Sequence, residues 1–372
     1  MDVRASYRRF PAWTQPFWTW LTGVPDDAEA TPAVTSPWTY LAIASLIFFG
    51  GIAASLFIML SGVGYAWLLL SVATTLNGSR LLVLTVAHQC AHHMFARNSK
   101  VNEAVHDVIS TVVMSQDHKN YRADHLGMHH GIRTFGSFQD PVLDFIRNSG
   151  LTEGLTKRQL WARMWLMFLS PKFHLSYLTK RLKSNFVLAR AHRVVLSILW
   201  WGGIATLVVL KSSLLVPILI AYVLPITLLY HVSAFLELMC EHVWMRPLAS
   251  PTKHAKIAEL CWGRFCGDPV PEGNNFRPWA RWLLRMSLYH LPSRLLVLAG
   301  DAPQHDYHHV NPKSRQWTIS AYDRRDAIRM GKLEHLEIWG LFAAIDRVFE
   351  FMASAKHTGT SPHQLEYLQK AS

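Results

Sequence analysis

The chain has 372 residues, half of them apolar, with 37 Lys and Arg against 25 Asp and Glu, 15 Trp, 20 His and only 17% charged residues. That is too few charges and too much Trp for a soluble domain, and it excludes disorder, a collagen-like chain and a disulfide scaffold. A mean hydropathy of only +0.12 beside long apolar stretches means that a membrane part and a polar part have been averaged together.

Residues 1–37 carry Arg4, Arg8 and Arg9 with no compact apolar stretch before Trp38, so no cleaved signal peptide is expected. Gly23 to Pro37, rich in Pro, Asp, Ala and Thr, reads as a loop. Four stretches then approach the roughly 20 apolar residues that cross about 30 Å of hydrocarbon. They are residues 38–60, 65–87, 194–210 and 214–239. The intervals after the first and third are too short to hold a domain, so the spans form two hairpins. Of the 37 basic residues only Lys211 lies in a hairpin turn and only Arg80 within a span. The positive-inside rule then puts both termini and the long polar segments in the cytoplasm.

The polar segments are residues 88–193 and 240–372, and in the second Trp279, Arg281, Trp282 and Arg285 alternate as on a helix lying at the membrane interface. Apolar residues near Ile338 to Phe351 recur at helical spacing, and a polar tail follows from about Lys356. The expected fold is all-α: a polytopic membrane protein with four transmembrane helices in two hairpins and a cytosolic helical cap. A cytosolic segment (1–37) precedes the membrane domain (38–312), and a cytosolic helical segment and tail (313–372) follow it. The four cysteines form no CxxC pair, which suits buried thiols in a reducing cytosol. Basic and aromatic residues flank the spans instead of marking a compact module, so the charge points to the lipid bilayer and an acidic protein partner, not to nucleic acid.

Nine of the 20 histidines fall in three tight groups: His88, His92 and His93; His125, His129 and His130; His305, His308 and His309. Residues four apart share a helix face, so His88 can point with His92, and His125 with His129. His305, His308 and His309 fit within about 100° of arc. Imidazole suits iron, zinc, copper and nickel, but one zinc takes four ligands or fewer, so this many histidines calls for two metal ions. The first group sits at the cytoplasmic end of the second span and the others lie on the same side, so all three can converge on one layer. A zinc protease would need HExxH, and residue 89 is Gln. A carboxylate-rich diiron bundle needs two ExxH motifs, and only Glu103 with His106 offers one. A membrane metal transporter is the alternative from another class, with Thr74, Thr75, Asn77 and Arg80 as its few polar residues within a span.

The order HxxxHH, a second HH box, a long interval with a membrane hairpin, then HxxHH resembles the integral-membrane fatty acid desaturase and hydroxylase superfamily over residues 38–312. The resemblance implies two histidine-ligated iron ions working between Fe2+ and Fe3+, O2 as co-substrate, and a fatty acyl chain or free fatty acid as substrate. It implies His88 and His92 as first-box ligands, His129 and His130 and then His308 and His309 as the pairs of the later boxes, with His305 leading the third. His93 and His125 are further candidates; the second box here is HxxxHH where the family commonly has HxxHH. The family often uses one more histidine after the last span, the place of His242. Asp124, Asp306 and Asp301 lie beside the boxes and are expected to orient the rings. Desaturation is the first reading of the reaction, with hydroxylation and decarboxylation to a terminal alkene as alternatives. No Cys set for an iron–sulfur cluster and no HPGG-type haem segment is present, so a separate electron donor is implied, a ferredoxin or similar protein with its reductase. Arg80 needs a partner in the bilayer. Counting back along the two spans, Glu237 lies within about 4 to 5 Å of its depth, and an ion pair is expected.

Overall fold

The computed structural model describes residues 2–131, 133–248, 252–333 and 336–355; the polar tail from Lys356 lies outside them. Four helices are long and apolar enough to cross a membrane: α1 (Pro37–Ser61), α2 (Tyr65–Ala91), α3 (Ala191–Leu210) and α4 (Ser212–Glu241). They match the expected spans, and α2 and α4 run on far enough to include His88 and Glu241. The chain forms two compact units.

One unit comprises Thr35–Gly127 and Leu166–Phe235. Ser36 caps α1 by accepting from the Trp38 amide, and left-handed Gly62 ends it, so a short turn sends the chain straight back into α2. The two helices meet over small residues. A Cβ on Gly51 would lie 2.5 Å from the Thr75 nitrogen, and one on Gly78 would lie 2.4 Å from the Phe48 nitrogen, so backbones touch where only glycine fits. The Ser55 and Ser71 hydroxyls bond across the same seam at 2.7 Å. On the other faces Leu46, Phe57, Leu69, Val209 and Leu210 stand exposed, the surface that a hydrocarbon solvent covers. Between Leu81 and Ala87 α2 widens into π-helical turns, and only then presents His88. Buried Arg181 donates through Nε to the Met114 carbonyl at 2.8 Å, and buried Arg193 through Nη2 to Asn185 at 2.7 Å, so these two guanidiniums are held by internal acceptors.

The other unit comprises Met1–Val34, Met128–Trp165 and Leu236–Ser372. Its N-terminal turns pack Tyr7 and Leu21 against Trp282 and Met286 of the amphipathic segment that begins at Phe276. Within that segment Phe276, Leu283, Leu284 and Leu288 are exposed, as an interfacial helix requires. One element departs from the all-α expectation: β1 (Gly263–Phe265) pairs in parallel with β2 (Glu337–Trp339). The apolar run read as helical from Ile338 therefore begins as a strand, and its helix starts at Leu341. A Cβ on Gly263 would lie 2.4 Å from the Phe265 ring and 2.7 Å from Arg324, so the strand sits too close to its surroundings for any side chain there.

Candidate metal centre

In the first unit, His88 and His92 come from the end of α2 and the turn after it, and His125 from the π-helical stretch Ala123–His129. All three are buried, and one nitrogen of each lies within 4.8 Å of the others. The Nε2 atoms of His92 and His125 are 3.0 Å apart. Tyr121 lies parallel to the His125 ring, with centroids 5.2 Å apart, and its hydroxyl is 3.3 Å from His88 Nδ1. His93 does not join them. It takes a left-handed conformation, φ 61°, which ends the helix and turns its half-buried ring onto His118 at 5.7 Å.

In the second unit, His129, His242, His305 and His309 form a fully buried group with one nitrogen each within 4.8 Å of the rest. The Nε2 atoms of His129 and His242 are 3.1 Å apart, and those of His305 and His309 3.0 Å. His242 is fixed by a backbone bridge to Cys261, whose Sγ lies 3.5 Å from its Nδ1. His305 and His309 are held by their helix, His305–Val310. His308, on the same helix, is half-buried and set apart from that group of four. His130 stacks on His309 with ring centroids 4.2 Å apart, also outside the four. The sequence expectation that His125 and His129 share a face is corrected, since they enter different groups. The segment between them winds as a π-helix, whose wider turns break the 3.6-residue spacing.

These spacings fit metal ions. With metal–nitrogen bonds of about 2.1 Å, neighbouring donors at right angles sit about 3 Å apart and opposite donors about 4.2 Å. The closest pairs in both groups, at 3.0 to 3.1 Å, match neighbouring donors of one ion. The residues present can therefore hold ions, and imidazole is a donor that suits iron.

Two of the carboxylates expected to orient the rings have other partners. Asp124 accepts from Gln116 at 2.7 Å. Asp306 is taken by Arg324 at 2.8 and 3.0 Å, and Arg324 also reaches Glu337 on β2. Asp306 thus anchors the third-box helix through Arg324 Nε, a charged donor that a buried carboxylate takes over a neutral imidazole. Asp140 and Glu241 take the expected place. Asp140 lies 3.1 and 3.2 Å from His129 Nδ1, and Glu241 Oε1 lies 3.2 Å from His305 Nε2. Burial opposes charge on His129, but Asp140 and Glu241 outweigh it and raise its pKa to about 9. Burial holds His242, His305 and His309 well below the usual imidazole range. Asp140 was legible only as a helix start before Pro141, where it caps the Val142 amide. Glu241 carries no signal of its own beyond its place next to His242.

Arg80 is buried in the first unit with its guanidinium 5.3 Å from the Tyr230 ring centroid. Glu237, in the second, accepts from Arg264 at 2.8 Å, a cation that spacing arguments missed because it lies on β1.

The fatty acid desaturase family model matches residues 65–339, a stretch that contains all three histidine boxes and three of the four apolar helices. No curated protein matches the chain. Covering well over half of the sequence, the match shows that the chain belongs to the fatty acid desaturase family, a family of desaturase- and hydroxylase-type oxidoreductases.

Proposed function

We propose that the chain is a non-haem diiron oxidoreductase that uses O2 to desaturate a fatty acyl chain, with one iron in each histidine group. The observation that carries this reading is the pair of buried nitrogen clusters with Nε2 atoms 3.0 to 3.1 Å apart, in a chain of this family. His129, His242, His305 and His309 hold one iron, and His88, His92 and His125 serve the other. His308 is assigned as a further ligand from its place in the third box. His93 packs on His118, and His130 stacks on His309 beside the second group.

Bound iron would activate O2, the oxidant that removes two hydrogens and leaves as water, for an unactivated C–H bond that has no acidic proton or leaving group for the chain's acids and bases to use. The protein's part is to aim and shield the donors. Asp140 keeps a proton on His129 Nδ1, so Nε2 presents its lone pair to the cluster; the Tyr121 oxygen accepts from His88 Nδ1 to the same effect. Burial excludes water from both groups. All four cysteines are buried and free, so electrons come from a separate ferredoxin-like donor with its reductase, drawn to a chain of net charge +12. In this reading the enzyme lies in the bilayer, multi-pass, with both termini and the irons on the cytoplasmic side and an acyl chain entering from the lipid; the four long apolar helices support it.

Mass spectrometry of fatty acids incubated with the purified chain, donor and O2 tests this. Loss of two hydrogens is expected. Gain of oxygen would make it a hydroxylase, loss of CO2 with two hydrogens a decarboxylase, and turnover without O2 would overturn the reading.

A further inference from the structure

The helix Gln15–Thr22 and the helix Phe276–Arg285 belong to the same unit and pack on each other through aromatic rings. Centroid to centroid, Trp18 stands 6.0 Å from Trp282 and 4.9 Å from Phe10, which in turn lies 5.9 Å from Trp282. Arg294 adds a second tie, donating through Nε to the Trp20 carbonyl at 2.7 Å. What these contacts leave outside is also apolar. Trp13, at 82% exposure, Phe17 and Trp20 project from the first helix and the turn before it. Phe276, also at 82%, Leu284 and Leu288 project from the second helix and its continuation. Phe17 and Trp20 are three apart and Leu284 and Leu288 four apart, so each pair shares a side of its helix. Large apolar side chains gathered on two elements that pack together mark an interaction surface.

We infer that these two helices together form a docking surface for anionic phospholipid, with the apolar side chains in the acyl boundary and Arg277 and Arg281 on the headgroups. Charge selects this occupant. Residues 276–297 carry Arg277, Arg281, Arg285 and Arg294 and no Asp or Glu. Arg285 is held by Asp268 at 3.0 Å, and Arg294 by the carbonyls of Trp20 and Gly300. Arg277 and Arg281, one turn apart, are exposed and meet no acid and no acceptor among the described residues. Unpaired guanidiniums beside exposed Leu, Phe and Trp suit the level of a membrane where anionic headgroups meet the acyl chains. The chain also tethers the surface to lipid. It passes from the helix ending at Thr22 into α1 at Pro37, and the unit's own residues from Leu236 begin within α4. Lipid is thus present at high effective concentration, whereas a second copy of the chain must be met by diffusion.

This inference rests on the bilayer placement above, not on the metals, and its test separates the two. The four native cysteines are buried, so Phe17→Cys, Leu284→Cys and, on the exposed side of α3, Val209→Cys can each carry one fluorophore in the full chain. Each labelled chain is placed in lipid nanodiscs that contain brominated phosphatidylglycerol or, at the same mole fraction, brominated phosphatidylcholine. Quenching is expected at all three positions. At position 284 the anionic lipid should quench more strongly than the zwitterionic one, and Arg277→Gln with Arg281→Gln should cut that preference by about fivefold per arginine. Unquenched fluorophores at 17 and 284 beside a quenched one at 209 would overturn the assignment, since solvent or a second copy would then cover the surface. Equal quenching by the two lipids, or a preference that survives loss of both arginines, would overturn the headgroup role. An unquenched fluorophore at 209 would instead defeat the placement of the spans in the bilayer.

Discussion

At the scale of single residues, the histidines are set by partners that the boxes do not contain. Asp140 caps the helix at Pro141–Asn148 and faces His129 at 3.1 Å. Asn caps as well as Asp, so Asp140→Asn should leave the fold intact while removing the negative charge behind the imidazole. Iron affinity at that site is expected to fall about tenfold or more, read by chelator competition; an unchanged affinity would mean that the carboxylate acts only as a cap. The depth argument that pairs Arg80 with Glu237 has its own check. Arg80→Ala and Glu237→Ala should couple by about 1 kcal/mol or more in a double-mutant cycle, and additivity within about 0.5 kcal/mol would argue that they do not meet. Most of the residues in the two groups were legible because histidine is scarce and boxed. Asp140, Tyr121 and Arg264 were not, because each reaches its partner across the fold from a stretch with no repeating signal.

At the scale of elements, the first hairpin depends on adjacent glycines with opposite duties. A Cβ on Gly51 would fall 2.5 Å from the Thr75 nitrogen and 2.9 Å from the Ser71 carbonyl oxygen, whereas one on Gly50 would meet nothing within 4 Å. Gly51→Leu should push α1 off α2 and cost about 3 kcal/mol, while Gly50→Leu projects into lipid and should leave thermal stability in detergent within about 0.5 kcal/mol of wild type. Equal effects would contradict the packing described. The four spans could be read from composition because hydrocarbon demands long apolar runs. The π-helical turns at Leu81–Ala87 and Ala123–His129 could not, since they insert no residue type of their own. Nor could the pairing of Gly263–Phe265 with Glu337–Trp339, whose strands are too short to alternate and meet across a long interval of chain.

At the scale of the whole molecule, charge placement carries the orientation. Lys211 is the one basic residue in the two hairpin turns, so tags at both termini should be cytoplasmic and Lys211 should react with an impermeant label only from the opposite side. Labelling of Lys211 from the cytoplasm would undo the two-hairpin topology. The central claim, that each histidine group binds one iron, is tested most directly by iron per chain, measured by plasma emission on purified wild type and on two variants. Wild type should hold about two irons per chain, because three or four imidazoles converge in each of the groups. His305→Ala and His92→Ala should each hold about one and still insert in the membrane. Wild type with stoichiometric zinc and no iron, or a variant that keeps both irons, would contradict the account.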